Sequence, residues 1–231
     1  MIACDPGVNS QEGQDPFEES GVLTMNNPGF KIDAWYLSYE TPGMPGLNAE
    51  LIFDDNTQCF SGAESISCED LHFGLHTEVQ GTILESVVHV DTLRQEENIR
   101  VDLFYYDPSK DMDEEDNVLC NPDSLTPVTR YIPLTEDPID DTLQLLLQGH
   151  LTLTEDEKLT GLTTEFPLMG LVLVDSTLEE GVLTITFDDP ENKTSGGSCR
   201  VAILWAQIEM TALQFPEVEE VNFEPEDLFQ P

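Results

Sequence analysis

Apolar positions along the chain follow two spacings. Up to about residue 93 they recur at every second position. Phe30-Lys31-Ile32-Asp33-Ala34-Trp35-Tyr36-Leu37 alternates loosely, and Ala49-Glu50-Leu51-Ile52-Phe53 does so again. Alternation of this kind predicts half-buried strands. Pro42-Gly43-Met44-Pro45-Gly46 is the turn-rich loop between them, and Asp54-Asp55-Asn56 ends the second. A further strand over Leu71 to Ile83, broken by glycines, leads into a returning strand over Glu85 to Val90. Arg94 to Asn98 is a charged connector and marks a domain boundary. Ile99 to Tyr106 then alternates as a strand, with Val128 to Ile132 as its returning partner.

After Pro133 the spacing turns helical. Ile139, Leu143, Leu146 and Leu147 share one face of a helix, with Asp137 as cap, Pro138 at the first helical position and Gly149 as the stop. Leu171-Val172-Leu173-Val174 is apolar on both faces, as a central strand is. Val182 to Phe187 returns with period two. A second helix follows the Ser195-Gly196-Gly197-Ser198 loop and ends at Phe215-Pro216, its face formed by Val201, Leu204, Trp205, Ile208, Ala212 and Phe215. Val218 to Phe223 is the last strand. Strand, helix, hairpin, helix, strand is an α+β order, with two helices on one face of a mixed sheet. The resulting division is 1–29 as a flexible acidic N-terminus, 30–98 as a small mostly-β domain, 99–226 as the α+β domain, and 227–231 as a tail. The glycine-punctuated strand pair of the first domain is similar to small oligosaccharide- and oligonucleotide-binding barrels.

Charge narrows the list of partners. The 231 residues hold 47 Asp plus Glu against 8 Lys plus Arg, a formal net charge of -39. A folded chain of this size exposes roughly 10,500 Å². Its net charges then lie roughly 16 Å apart, beyond the Debye length of about 8 Å at physiological salt. Folding in ordinary buffer is therefore compatible with the charge, while low salt destabilises the chain. Such a surface repels phosphate backbones and anionic headgroups, which excludes nucleic acid and direct lipid recognition. Basic protein patches and weakly held cations remain. No run of eighteen apolar residues is present to span a bilayer.

The five cysteines are Cys4, Cys59, Cys68, Cys120 and Cys199. Met1-Ile2-Ala3-Cys4 resembles the end of a bacterial lipoprotein box, which implies lipidation of Cys4, and Asp5 to Gly21 reads as its tether. The charged start and apolar run of a signal peptide do not precede it. Four cysteines remain, with three connectivities. Cys59–Cys68 plus Cys120–Cys199 keeps each bond within one domain, and in the chain-entropy model the two loops contribute roughly 2.7 and 4.5 kcal/mol. The alternative is four buried free thiols in a cytosolic protein.

Candidate chemistry is sparse. His72 and His76 stand four apart in a strand-rich region, where no third metal ligand joins them. Asp111, Asp113, Glu114, Glu115 and Asp116 form the densest carboxylate group, without the glycine and distant Glu of a calcium loop. No pair among the carboxylates is singled out for glycoside hydrolysis. The Ser195 to Ser198 loop lacks a following lysine and reads as a helix start. Trp205 falls on the apolar helix face and reads as core. Arg130 and Arg200 are expected in ion pairs within the second domain. The site therefore holds no catalytic, cofactor or metal residue on this reading.

One ordered set of segments carries more. It runs from Pro127 to Pro133, Ile139 to Gly149, Gly161 to Pro167, Trp205 to Pro216, and Val218 to Phe223. The set resembles the sporulation and spore-germination (GerMN) domain over roughly residues 99–226. The resemblance implies an α+β fold similar to ring-building motifs and a non-catalytic, extracytoplasmic assembly role without cofactor. The expected function is a membrane-tethered interaction module of the bacterial envelope, with envelope proteins or cell-wall components as partners. A cell-wall glycan hydrolase and a cation-binding acidic surface protein are the competing readings.

Overall fold

The computed structural model describes residues 15–25, 29–40, 45–115 and 117–230. Cys4, the proposed lipid site, and Asp116 of the carboxylate group lie outside them. The chain divides into two units at Asn98/Ile99.

The first unit holds β1 (Asp15–Met25), β2 (Trp35–Tyr39), β3 (Leu47–Ile52), β4 (Gln58–Ser61), β5 (Glu64–Ile66), β6 (His76–Leu84) and β7 (Val87–Gln95). They form one sheet in the order β3-β2-β1-β6-β7-β4-β5, with β3 also pairing β7 in parallel. That extra pairing closes five strands (β1, β2, β3, β7 and β6) into a barrel, and the β4–β5 hairpin extends from β7. Such a five-stranded closure is the architecture of the oligosaccharide- and oligonucleotide-binding barrels.

Strand β1 overturns the expected tether over residues 15–21 and the flexible N-terminus as far as residue 25. Asp15 to Val22 pairs with β6 and Val22 to Met25 with β2, so β1 lies inside the sheet. The chain crosses from one partner to the other beside Gly21, where a Cβ would lie 2.2 Å from the Ser38 carbonyl oxygen. Only a glycine permits that approach. Phe17 and Leu23 point into the core with Leu37, Leu51, Val79 and Leu93.

The second unit holds β8 (Asn98–Tyr106), β9 (Leu125–Pro133), α1 (Pro138–Leu147), α2 (Glu155–Leu159), β10 (Val172–Glu179), β11 (Val182–Asp188), α3 (Ser198–Ala212) and β12 (Glu220–Glu224). Strands β10, β11 and β12 form a mixed sheet, antiparallel then parallel, while β8 and β9 form a hairpin of their own. Leu143 and Leu146 of α1 and Val201, Leu204 and Ile208 of α3 join Leu183, Ile185 and Phe187 of β11 and Val101, Leu103 and Tyr105 of β8 in one core.

Local chemistry accounts for the helices. Pro138 starts α1, although the Asp137 side chain forms no cap hydrogen bond. Gly149 follows its end at φ +60°, and a Cβ there would lie 1.9 Å from the Phe166 carbonyl oxygen. A capping box between Thr154 and Glu157 begins α2.

Two further expectations change. The stretch 171–174 belongs to an edge strand, not a central one, with Val172 and Val174 53% and 59% exposed. The end of the chain is not a free tail as far as residue 230. Leu228 and Phe229 are buried, because they cover the aromatic group of Phe187, Trp205 and Phe223. Trp205 is packed edge-on to Phe223, ring centroids 4.5 Å apart.

Candidate functional site

The cysteines form two disulfides, Cys59–Cys68 and Cys120–Cys199, with Cα separations of 5.3 and 5.0 Å. The second ties the loop after β8 to the start of α3. Within that loop Asp111 is fully buried. Its carboxylate accepts from the Tyr106 hydroxyl at 2.7 Å and from the backbone N–H groups of Cys120 and Asn121 at 3.1 and 2.8 Å. Burial, and then the neighbouring Asp111 and Asp107 charges, push the Tyr106 hydroxyl up to about 12. Asp107 is the other buried carboxylate among the described residues, held below its usual range by the Ser109 hydroxyl and amide and by Lys110. Each carboxylate is thus engaged by local donors that shape the loop. Asp111, Cys120 and Cys199 place their ligand atoms within 4.8 Å of one another, but both sulfurs are bonded to each other and offer no thiolate.

A groove of about 340 Å³ lies beside this loop, lined by Tyr106, Thr163, Thr164, Ile203, Leu204 and Gln207. Its rim carries the Arg200–Glu165 pair at 2.6 Å. Arg130 is paired as well. It reaches Glu157 through both guanidinium nitrogens, at 2.9 and 2.6 Å. Burial raises the Glu157 carboxyl, yet Arg130 and the Thr154 amide outweigh it and leave it below its ordinary value.

The strand edges of the unit are treated unequally. Among the described strands β8 pairs only with β9, so the N–H and C=O groups of Asp102, Phe104 and Tyr106 point away from the hairpin. All six have partners. The Gln214 amide accepts from the Asp102 N–H at 2.7 Å and donates to its carbonyl at 2.9 Å. The Thr211 hydroxyl accepts from the Phe104 N–H at 3.2 Å, and the Gln207 amide donates to its carbonyl at 3.0 Å. Tyr106 exchanges both bonds with Thr163. Gln207 and Thr211 lie on one face of α3, with Gln214 just past its end, so the helix stands in for a missing strand. Helical spacing is the signal for this in the sequence, but fully buried glutamine and threonine on a helix face carry no mark of their purpose.

β10 has no such cover. Among the described residues no strand pairs its outer side. Glu180 and Gly181, at φ 50° and 86°, make the two-residue turn to β11. In such a hairpin Glu179 and Val182 bond each other and the pairs alternate from there. Ser176 and Leu178 therefore direct their N–H and C=O groups outward. The same two residues line a cleft of about 250 Å³ with Glu136, Asp137, Asp140 and Glu217.

The histidines do not converge on a site. His72 is half-buried, its amide donating to the Gln95 side chain, and burial lowers its ring pKa against the Asp70 charge; His76 is exposed. In the carboxylate loop Asp113 accepts from the N–H groups of Glu115 and Asn117 and from the Asn117 side chain, which lowers its pKa.

The model of the sporulation and spore germination family matches residues 102–227. No curated protein sequence matches. Among solved structures, the tandem GerMN domains of the sporulation protein GerM from Bacillus subtilis align at 19% identity and a TM-score of 0.40, over 58% of this chain and 42% of that one. A lipoprotein structure from Clostridium perfringens, described as putative, aligns at 13% identity and a TM-score of 0.29, over 58% and 80%. The chain spans less than half the length of the GerM structure.

Proposed function

The chain belongs to the sporulation and spore germination family, and we propose that it is a non-catalytic interaction or assembly module of the bacterial cell envelope. The observation that carries the reading is the family match over 102–227, which takes in nearly all of the second unit. Three features support it. Two disulfides suit an oxidising, extracytoplasmic compartment. The buried carboxylates Asp107 and Asp111 are occupied by local donors and lie outside the apolar groove, as acid–base catalysis would not have them. An open strand edge next to a cleft rich in carboxylates suits contact with another protein. In this reading Cys4 carries the lipid that holds the module at the membrane, and envelope proteins or cell-wall components are its partners.

The test is fractionation of cells producing the full chain, with free thiols trapped at lysis and in-cell cross-linking. Membrane association lost on Cys4→Ser, four oxidised cysteines and a cross-linked envelope protein are the expected results. Reduced cysteines in a freely cytosolic chain would reject the location. Hydrolysis of peptidoglycan by the purified protein, abolished by changing one carboxylate with the fold intact, would reject the non-catalytic role.

A further inference from the structure

The stretch Leu171 to Val174 is built for burial on both faces, yet it enters an edge strand whose valines face solvent. Met169, just before it, is 78% exposed. The fold fills the comparable edge of β8 from Asp102 to Tyr106. An open, apolar edge is a hazard that proteins ordinarily blunt with charge or a bulge. β10 carries both devices, a bulge between Leu173 and Asp175 and the acidic side chains of Asp175 and Glu179, but Asp175 to Glu179 stays in regular register with β11 and its charges deter only an acidic or neutral partner, not a basic one. Within that stretch Ser176 and Leu178 offer four outward backbone groups.

We propose that the outer edge of β10 from Asp175 to Glu179 docks an extended segment of a partner protein that carries Lys or Arg at alternate positions. An added strand alternates its side chains between the two faces of the sheet. Those lying beside Ser176 and Leu178 project into the cleft lined by Glu136, Asp137, Asp140 and Glu217. Basic side chains meet four carboxylates there. The opposite face is also acidic, with Asp175 and Glu179 on the strand and Glu180 in the turn. Local charge disfavours a second copy of this chain as the occupant, because β10 laid against β10 would set Asp175, Glu179 and the cleft carboxylates against like charges. The backbone bonds give affinity and the alternating cations give register. This inference rests on the assembly reading and names its surface and the chemistry of its partner.

The test uses the full chain and an eight-residue peptide of alternating lysine and valine, capped at both ends. Two controls hold charge constant. One has four lysines followed by four valines, and the other is the alternating peptide with every backbone nitrogen methylated. Titration calorimetry should find the alternating peptide about tenfold or more tighter than either control, since each backbone bond contributes roughly two- to tenfold. Amide exchange should slow at Ser176 and Leu178. Ser176→Pro removes an N–H that points away from β11, so the hairpin survives while binding falls about tenfold. Equal affinity for all three peptides, or protection that appears elsewhere and spares β10, overturns the proposal. Ser176→Pro also separates it from the broader reading. A folded variant that still cross-links its envelope partner in cells overturns this docking edge alone, whereas a wild-type chain with no partner overturns the assembly role itself.

Discussion

β8 and β10 are both outer strands of the second unit, and their free backbones meet opposite fates. Along β8 every outward N–H and C=O of Asp102, Phe104 and Tyr106 is taken up by Gln207, Thr211, Gln214 or Thr163. Along β10 the equivalent groups of Ser176 and Leu178 face water beside four carboxylates. A buried backbone group without a partner costs roughly 1–3 kcal/mol, so the β8 edge could not be packed under α3 unpaired. The β10 edge remains in water and bears no such cost. The contrast teaches that an edge of this fold is either filled from within or left for something outside.

Breaking the tie that holds α3 in place should have the largest effect. Removing Cys120–Cys199 with the pair Cys120→Ser and Cys199→Ser should destabilise the second unit by about 4.5 kcal/mol in the chain-entropy model. Denaturant unfolding of oxidised wild type against the variant measures it. A loss under about 1 kcal/mol would mean that the bond does not hold the β8 cover in place.

Next comes the cover itself. Gln207 is fully buried, and Gln207→Leu leaves the Phe104 carbonyl and the Thr164 hydroxyl without their partner. The expected loss is about 2 kcal/mol. Val174→Thr on the open edge should change stability by no more than about 0.5 kcal/mol. Equal effects at the two positions would erase the distinction between the edges.

Acid separates the core of the unit from its surface. The Glu157 carboxyl is held below its ordinary value of 4.5 in the folded state. A depressed carboxylate contributes stability that is present above the unfolded value and lost as pH falls through the folded one. Wild type should therefore lose stability relative to Glu157→Gln as pH drops below about 4.5. Protonation of the many surface carboxylates relieves repulsion in both proteins and cancels in the difference. Parallel stability curves for the two would show that the Arg130 pair has no such role.

Elements set by local chemistry were legible in the sequence. Pro138 and Gly149 bound α1, the apolar stripe from Val201 to Ala212 marks α3, and the cysteines pair within units. What escaped depends on distant partners. β1 reads as a polar tether because only Phe17 and Leu23 along it are buried, and its place is set by pairing with β2 and β6. β10 reads as central because its valines suit two-sided burial, and nothing local says that the cover is missing. The β8 cover is invisible for the same reason, since Gln207 and Gln214 find their partners more than a hundred residues away.

Amide hydrogen exchange on the free, full-length protein tests the contrast most directly. The N–H groups of Asp102 and Phe104 should exchange with the slow core of the second unit, held by Gln214 and Thr211. Those of Ser176 and Leu178 should exchange close to the rate of unstructured peptide, although they lie within a strand. Slow exchange at Ser176 and Leu178 in the isolated protein would show that the β10 edge is already covered, and would contradict the account.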